Sequence, residues 1–369
     1  MLIGVPKEIK DHEFRVGVTP AGVHALVAAG HEVRVQTNAG AAIGFCDADY
    51  AASGAHIAPD AKAVYECPLI VKVKEPQPDE LARLHEDQVL FCYLHLAASP
   101  ELTQSLLQQK VMAVAYETIT DAAGGLPLLI PMSEVAGRIA IHVGANCLHM
   151  ANGGAGVLLG GVPGVAPGKV LVIGAGSVGT QAARMAVGLG ADVTILDINL
   201  QRLRYLDDVF GPRLKTRYSE PRAIAELTRE ADLLVSSIYL PGKRAPKLIT
   251  RDMVRGMKRG AVLVDVAIDQ GGSSETSRPT THTSPTYIEE GVVHYCVTNT
   301  PSAVAASATD ALTHATLPFL LKLAQDPQAT LREHPGLRGG LQLYRGQVTH
   351  AGLAEDLNLP YVSAESLLT

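Results

Sequence analysis

Five cysteines in 369 residues, Cys46, Cys67, Cys92, Cys147 and Cys296, are too few and too dispersed for a disulfide framework, and no Cys-x-x-Cys pair suggests a zinc knuckle. An odd, scattered set of thiols fits a reducing cytosol. Basic clusters are missing too. The 31 lysines and arginines are spread among 37 acidic residues for a formal charge of -6, which leaves no electrostatic footprint for nucleic acid or an anionic membrane. No uncharged apolar run is both long and free of breaks; the nearest, from Ile139 to Val170, is interrupted by glycine and proline and so reads as packed helix and loop. Met1 leads straight into Leu2-Ile3-Gly4-Val5 without a basic leader, so secretion is not expected. Solenoid repeats and low-complexity tracts are absent from the chain. What remains is a globular chain whose expected partners are small molecules. Its length exceeds what one core usually serves, which makes two domains the expectation.

Apolar runs alternate with helical stretches, the pattern of parallel α/β architecture. Leu2 to Val5, Glu32 to Gln36, Leu69 to Lys74, Val89 to Leu96 and Val111 to Glu117 read as strands. Thr19-Pro20, Pro78-Asp79-Glu80 and Ser99-Pro100-Glu101 are helix starts, because proline is tolerated and acids are favoured in a first turn. Ser133 to Arg138 begins a long helix, and a glycine-rich stretch from Gly153 to Gly168 leads into a second unit. That unit continues through Asp232 to Ile238 and Ala261 to Val266. A helix follows from Asp310, with no new glycine fingerprint, so the C-terminal segment is expected to return to the first unit. The spacing therefore predicts two Rossmann-like, doubly wound parallel-sheet domains with an active-site cleft between them. Residues 1–127 plus 308–369 would form a discontinuous catalytic domain and 128–307 a dinucleotide-binding domain.

The densest signal is Val170-Leu171-Val172-Ile173-Gly174-Ala175-Gly176-Ser177-Val178-Gly179, an apolar strand running through a glycine turn into a helix. Gly174 permits the turn, Gly176 lets a pyrophosphate approach the backbone, and Gly179 lets helix pack on strand. The helix start offers unpaired amides and a partial positive charge. Asp197 closes the next strand about 20 residues on, where an acid accepts ribose hydroxyls and repels the extra phosphate of NADP, so NAD is the expected cofactor. Arg202 lies near enough to blur that preference.

In open parallel sheets ligands sit beyond the carboxyl ends of the strands. Lys74, His95 and Glu117 each fall at or near such an end, and Asp269 lies just past Val262 to Val266 in the second unit. Each also has a bland alternative. Lys74 could cap a neighbouring carboxylate, His95 could be a bonded core residue, and Glu117 could be a structural partner or a metal ligand, although no ligand cluster has convincing spacing. Lys72 competes with Lys74, since strand alternation would send both to one face. Arg15 is either an exposed loop charge or a fork for a substrate carboxylate. Cys92 and Cys296 read as buried small apolar residues rather than nucleophiles, and Asp265 as a partner of backbone or a neighbouring side chain.

Six blocks carry a resemblance along nearly the whole chain: Gly4-Val5-Pro6-Lys7-Glu8, Arg15-Val16 with Thr19-Pro20, Val73-Lys74-Glu75-Pro76, Tyr93-Leu94-His95-Leu96, Pro131 to Gly137, and Val264 to Gly272. By these the chain resembles the alanine dehydrogenase and pyridine nucleotide transhydrogenase family. The resemblance implies NAD-dependent oxidative deamination of L-alanine to pyruvate and ammonia, reversible by reductive amination, in a cytoplasmic homohexamer. It implies Arg15 and Lys74 as substrate ligands and His95 and Asp269 as the acid/base pair. It assigns Ser133, Gly174, Gly176, Ser177, Val178, Gly179, Asp197, Arg202, Ser219, Ile238, Val266, Ile268, Asp269 and Asn299 to the NAD site. The chain departs from the family pattern at Thr300 to Ser307 and at Ala155 and Phe14. Two other readings stay open: a non-catalytic NAD(H)-binding module of a transhydrogenase, and a related dehydrogenase of the lysine or saccharopine type. Tyr93, Leu128, Leu129 and Met132 are candidates for the substrate-pocket wall.

Overall fold

The computed structural model describes residues 1–238 and 245–368. The chain forms two compact units, Met1–Met132 with Val304–Thr369, and Ser133–Ala303.

The first unit opens with β1 (Leu2–Val5), β2 (Glu32–Gln36), β3 (His56–Ala58), β4 (Leu69–Val71), β5 (Val89–Cys92) and β6 (Met112–Ala115). All pair in parallel in the order β6-β5-β4-β1-β2-β3. The order reverses between β1 and β4, which makes that gap a topological switch point. Helices on both faces explain why the central strands read as continuous apolar runs. Ile70, Leu90 and Ala113 join a buried cluster with Leu102 and Leu106 of helix Pro100–Gln109. Phe91 instead packs edge-on against Tyr116, ring centroids 4.4 Å apart. Each fully buried Ile, Leu or Phe side chain of this kind contributes about 1.5–3 kcal/mol. Helix Pro20–Ala28 starts where the sequence indicates, with the Thr19 hydroxyl accepting the Gly22 amide at 3.2 Å.

The second unit holds β7 (Lys169–Ile173), β8 (Asp192–Asp197), β9 (Lys215–Tyr218), β10 (Leu233–Ser236), β11 (Val262–Asp265), β12 (Thr286–Glu289) and β13 (Val292–Tyr295). Their order is β12-β13-β11-β10-β7-β8-β9, parallel except for the edge strand β12. Alternation divides β7 between two cores. Val170 and Val172 pack with Ala182, Ala183 and Ala186 of helix Ser177–Gly188, and Leu171 and Ile173 pack with Ile224, Val254 and Leu263. Small residues on that helix let it lie close to the sheet.

The chain then returns through helix Ala305–Leu323, which begins five residues before the expected Asp310, to β14 (Leu341–Tyr344) and β15 (Gln347–Val348). These add two antiparallel strands beside β6 in the first sheet. The α/β reading with two parallel-dominated sheets therefore holds, with antiparallel strands at one edge of each.

The expected strands around the reactive residues are too long. β4 stops at Val71, β5 at Cys92 and β6 at Ala115, so Lys74, His95 and Glu117 all sit on the loops beyond them. With β4 ended, alternation no longer governs Lys72 and Lys74. Lys72 is fully buried and Lys74 half-buried.

Candidate active site

Four neighbouring parallel strands, β6-β5-β4-β1, deliver Glu117, His95, Lys74 and Arg15 from the loops that follow their carboxyl ends. Each cation is attended by a carboxylate. Arg15 is 1% exposed; its Nε and one terminal nitrogen donate to the two oxygens of Glu13 at 2.7 and 2.6 Å, and its other terminal nitrogen lies 3.0 Å from Met132 Sδ. Such a fork-to-fork pair fixes both position and plane of the guanidinium. Arg15 is thus a buried, oriented group and not an exposed loop charge.

The Lys74 amide and the Val73 amide donate to Glu8 Oε1, at 3.3 and 2.7 Å. Lys72, the rival candidate, is committed elsewhere. Its ammonium donates to Glu8 at 2.9 Å and to Glu80 at 2.8 Å. Burial disfavours the Lys72 charge, but the two carboxylates outweigh it and hold the group above the ordinary lysine range. Lys10 pairs with Glu75, next to Lys74.

His95 adopts a left-handed backbone, φ 48° and ψ 41°, which a residue with a β-carbon tolerates only when its surroundings hold it there. Glu117 does so by accepting the His95 amide at 2.6 Å and the Leu94 amide at 3.2 Å; the same carboxylate oxygen lies 3.8 Å from His95 Nδ1. The imidazole remains 48% exposed and stacks on the Tyr93 ring, centroids 5.9 Å apart. Tyr93 is buried and donates to the Leu128 carbonyl, and burial pushes its phenol up despite the pull of Arg15. Leu128 and Met132 are buried, Leu129 half-buried. Glu117 acts here as a backbone partner. Among the described residues no group of three or more His, Cys, Asp or Glu could hold a metal ion.

Cys92 and Cys296 are fully buried, and burial raises the first thiol well above its usual range and the second to about 11, so neither is an activated nucleophile.

The second unit gathers its candidates at the carboxyl ends of β8, β7, β10, β11 and β13. Gly174 has φ +99°, and a β-carbon on Gly179 would stand 1.8 Å from the Gly174 carbonyl oxygen, so the turn closes only without side chains. Nothing lies within 4 Å of where a β-carbon on Gly176 would be. Helix Ser177–Gly188 begins there with no side-chain cap, leaving its amide end to a ligand. Asp197 accepts the amides of Ala175 at 2.6 Å and Asn199 at 2.7 Å, which ties the acid to the turn it is expected to serve. Arg202 braces the same turn, donating to the Ala175 carbonyl and the Thr180 hydroxyl, both at 2.8 Å. These features suit a dinucleotide: a turn open to a pyrophosphate and an acid at the ribose position.

Ser177 and Val178 open the helix, and the Ser219 amide donates to the Asp197 carbonyl at 3.0 Å. Ile238 lies just beyond β10, while Val266, Ile268 and Asp269 lie on the turn after β11. Asp265 ties that turn down, accepting from the Ala267 and Ser273 amides and the Ser277 hydroxyl at 3.1, 2.8 and 2.6 Å. Asn299, also left-handed at φ 60°, lies beyond β13, and its carbonyl accepts from the Ser302 amide at 3.0 Å. Ser133 sits half-buried on helix Ile130–Cys147. A separate cavity of about 580 Å³, lined by Thr120, Phe319, Lys322, His334 and Leu337 among others, contains none of these residues.

Glu8, Glu13 and Glu80 are absent from the sequence-based candidates. Glu8 is the acid of a motif block, Pro6-Lys7-Glu8, Glu13 stands two residues before Arg15, and Glu80 reads only as a first-turn acid of Pro78-Asp79-Glu80. None of these positions reveals that Glu8 reaches Lys72, 64 residues away.

The strand-end cations and the glycine turn together define a two-unit α/β dinucleotide-binding protein. Family profiles agree: "Alanine dehydrogenase/PNT, N-terminal domain" matches residues 4–136 and the corresponding C-terminal domain matches 140–351. Alanine dehydrogenases of Halomonas elongata, Methanococcus maripaludis and Bacillus subtilis are 55%, 52% and 52% identical, each over the whole of this chain and 98–100% of theirs. A solved L-alanine dehydrogenase is 49% identical with a TM-score of 0.94, covering 97% of this chain and 99% of that one. A transhydrogenase structure from Sinorhizobium meliloti, 22% identical over 95% of this chain and 99% of its own, shares the fold with a TM-score of 0.80. This chain belongs to the alanine dehydrogenase/PNT family.

Proposed function

We propose that the chain catalyses the reversible, NAD-dependent oxidative deamination of L-alanine to pyruvate and ammonia. The observation that carries this reading is Arg15, Lys74 and His95 on the exits of adjacent strands, in a chain matched end to end by alanine dehydrogenases. The first unit is assigned as the substrate domain and the second as the dinucleotide domain.

NAD, when bound, accepts the hydride that leaves the alanine Cα. The glycine turn from Gly174 to Gly179 would hold its pyrophosphate and Asp197 a ribose, with Ser133, Arg202, Ser219, Ile238, Val266, Ile268 and Asn299 completing the site. Arg15 binds the substrate carboxylate, its plane set by Glu13. Loss of hydride from the neutral amine leaves a cationic imine, and Asp269 stabilises that cation or orients the water that attacks it. His95 takes a proton from the water, giving a carbinolamine, hands that proton to the nitrogen, and then takes the hydroxyl proton as ammonia departs and the carbonyl of pyruvate forms. Lys74 supports the oxygen where negative charge builds. Imidazole suits both directions because one ring nitrogen can accept a proton and return it.

A screen of amino acids with NAD and NADP tests the reading directly. NADH formation with L-alanine, and ammonia-dependent NADH consumption with pyruvate, are expected. Turnover of lysine or saccharopine in preference to alanine would replace the substrate, and NADH binding without turnover would favour a transhydrogenase-like module.

Cytoplasmic localisation and assembly as a homohexamer belong to the same proposal. Exposed apolar side chains on the segment before β7, Met150, Leu158, Val162 and Val165, support self-association. Light scattering of the purified chain measures it, and a monomeric mass would refute it. Among the described residues no helix is long and apolar enough to cross a membrane.

A further inference from the structure

In the first sheet β4 lies between β5 and β1. Beyond Val71 the β5 side of the ladder continues with backbone partners: the Lys72 amide donates to the Phe91 carbonyl and the Tyr93 amide to the Val73 carbonyl, both at 3.1 Å. On the other side β1 has ended at Val5, and Pro6 carries the chain onward. The acceptor there is a side chain. Glu8 Oε1 takes the Val73 amide at 2.7 Å and the Lys74 amide at 3.3 Å, in the place a strand carbonyl would occupy.

We propose that Glu8 is a positioning residue for Lys74, fixing through these two amides the loop from which the Lys74 ammonium is presented to substrate. The proposal rests on the reading of Lys74 as a substrate ligand.

The chemistry of the partners explains why a carboxylate stands here. Glu8 Oε2 accepts the Lys72 ammonium at 2.9 Å, so donors meet both oxygens, and a carboxylate is the side chain that accepts on both. A glutamine would turn its amide NH2 either to the backbone amides or to the ammonium, donor against donor. Lys72 is itself held by Glu80, which also accepts the Tyr65 hydroxyl at 2.8 Å and the Gln77 amide at 2.7 Å. The clamp is therefore anchored to the start of helix Pro78–Leu81 on the far side of the same loop. Burial pushes the Glu8 carboxyl upward while Lys72 opposes the shift.

The same strand-exit loop carries Glu13, which grips Arg15. One connection thus sets both the cation that follows β1 and the cation that follows β4.

The test uses Glu8→Ala and Glu8→Gln in the full chain, with four readouts: kcat and KM for pyruvate, NADH affinity by fluorescence, the thermal midpoint, and the rate of Lys74 modification by an amine reagent read by peptide mass spectrometry. A displacement of about 1 Å at a ligand-positioning group costs up to about a hundredfold in rate, so Glu8→Ala should lower kcat/KM for pyruvate roughly 10- to 100-fold. NADH affinity should stay within about twofold, because the glycine turn is built from other residues. Lys74 should lose its protection by pyruvate. Glu8→Gln, which keeps one oxygen for the amides, should fall between Glu8→Ala and the native chain, and it carries the test if the alanine variant does not fold. A lower thermal midpoint with kcat/KM and Lys74 labelling unchanged overturns the proposal. If the native chain turns over no pyruvate, the substrate reading fails by itself. The labelling rate of Lys74 without substrate then decides the clamp, an unchanged rate in Glu8→Gln refuting it.

Discussion

The two groups of candidate residues are built on opposite principles. The dinucleotide turn is made by removing side chains. Gly174 turns where a β-carbon would strain the backbone, and Gly179 leaves room for a carbonyl that a methyl group would strike at 1.8 Å. The strand-end group of the first unit is made by adding charged side chains and then restraining each. Glu13 holds Arg15, Glu8 holds the Lys74 loop, and Glu117 holds His95. Backbone shape fails as a whole when perturbed, whereas a set of separately held side chains can lose one chemical function and keep its shape. Substitutions on the two sides should therefore fail differently.

The sharpest break in that comparison is His95→Ala. Its side chain is half exposed and its backbone is held by the Glu117 carboxylate through the amide, which the substitution leaves in place. General acid–base catalysis is worth about 10²–10⁴-fold, so alanine oxidation and pyruvate amination should fall by that factor. NADH binding and the thermal midpoint should hardly move. Steady-state rates beside NADH fluorescence measure both, and turnover near the native value would remove His95 from the mechanism.

Gly179→Ala is the counterpart in the second unit. The added methyl meets backbone at the Gly174 oxygen and the Ser237 hydroxyl oxygen at 2.7 Å, and a backbone carbonyl cannot swing aside as a long side chain would. Overpacking of this kind costs about 1–3 kcal/mol, so NADH affinity should fall roughly 10- to 100-fold together with thermal stability. Here binding and folding move together. Loss of NADH affinity with an unchanged midpoint would show that this turn, too, can be altered without altering the fold.

The same contrast explains what could be read in advance. The glycine turn and Asp197 are legible because a strand, a tight turn and a helix start impose fixed spacing along one short stretch. The parallel architecture is legible because strands buried on both faces are continuous apolar runs. Strand ends are harder. Leu69 to Lys74 is apolar or alternating throughout, yet β4 stops at Val71, and Lys72 then pairs with two acids instead of facing the same way as Lys74. The bonding of Glu8 to Lys72 follows the packing of β1 beside β4, an event between residues more than 60 positions apart. No local periodicity records it. Nor were the short antiparallel strands β12, β14 and β15 read from the sequence; Thr286–Glu289, Leu341–Tyr344 and Gln347–Val348 mix polar with apolar residues and lack the continuous apolar run of β4 or β5.

The smallest expected effect asks whether the units also differ in their response to acid. Burial holds three imidazoles below their ordinary range, His31 and His350 in the first unit and His294 in the second; the last two are tied to named hydrogen bonds. His350 caps helix Ala351–Leu357, its Nδ1 accepting the Leu353 amide at 3.2 Å, so protonation there removes the acceptor. His294 is fully buried between the Thr276 hydroxyl at 2.8 Å and the Val292 carbonyl at 3.0 Å, with its ring stacked on Tyr287. With folded-state values below the unfolded value near 6.5, the unfolded chain binds more protons in the window between them. Stability from these groups is therefore complete above about pH 6.5 and is lost as pH falls through the folded-state values. The thermal midpoint should be flat from neutral to mildly alkaline pH and decline below about pH 6.5. His350→Asn, which keeps a capping acceptor but cannot titrate, should flatten part of that decline, and His294→Gln another part. A decline equally steep in both variants would assign the acid sensitivity to other groups. A decline flattened by one alone would identify the unit that acid opens first.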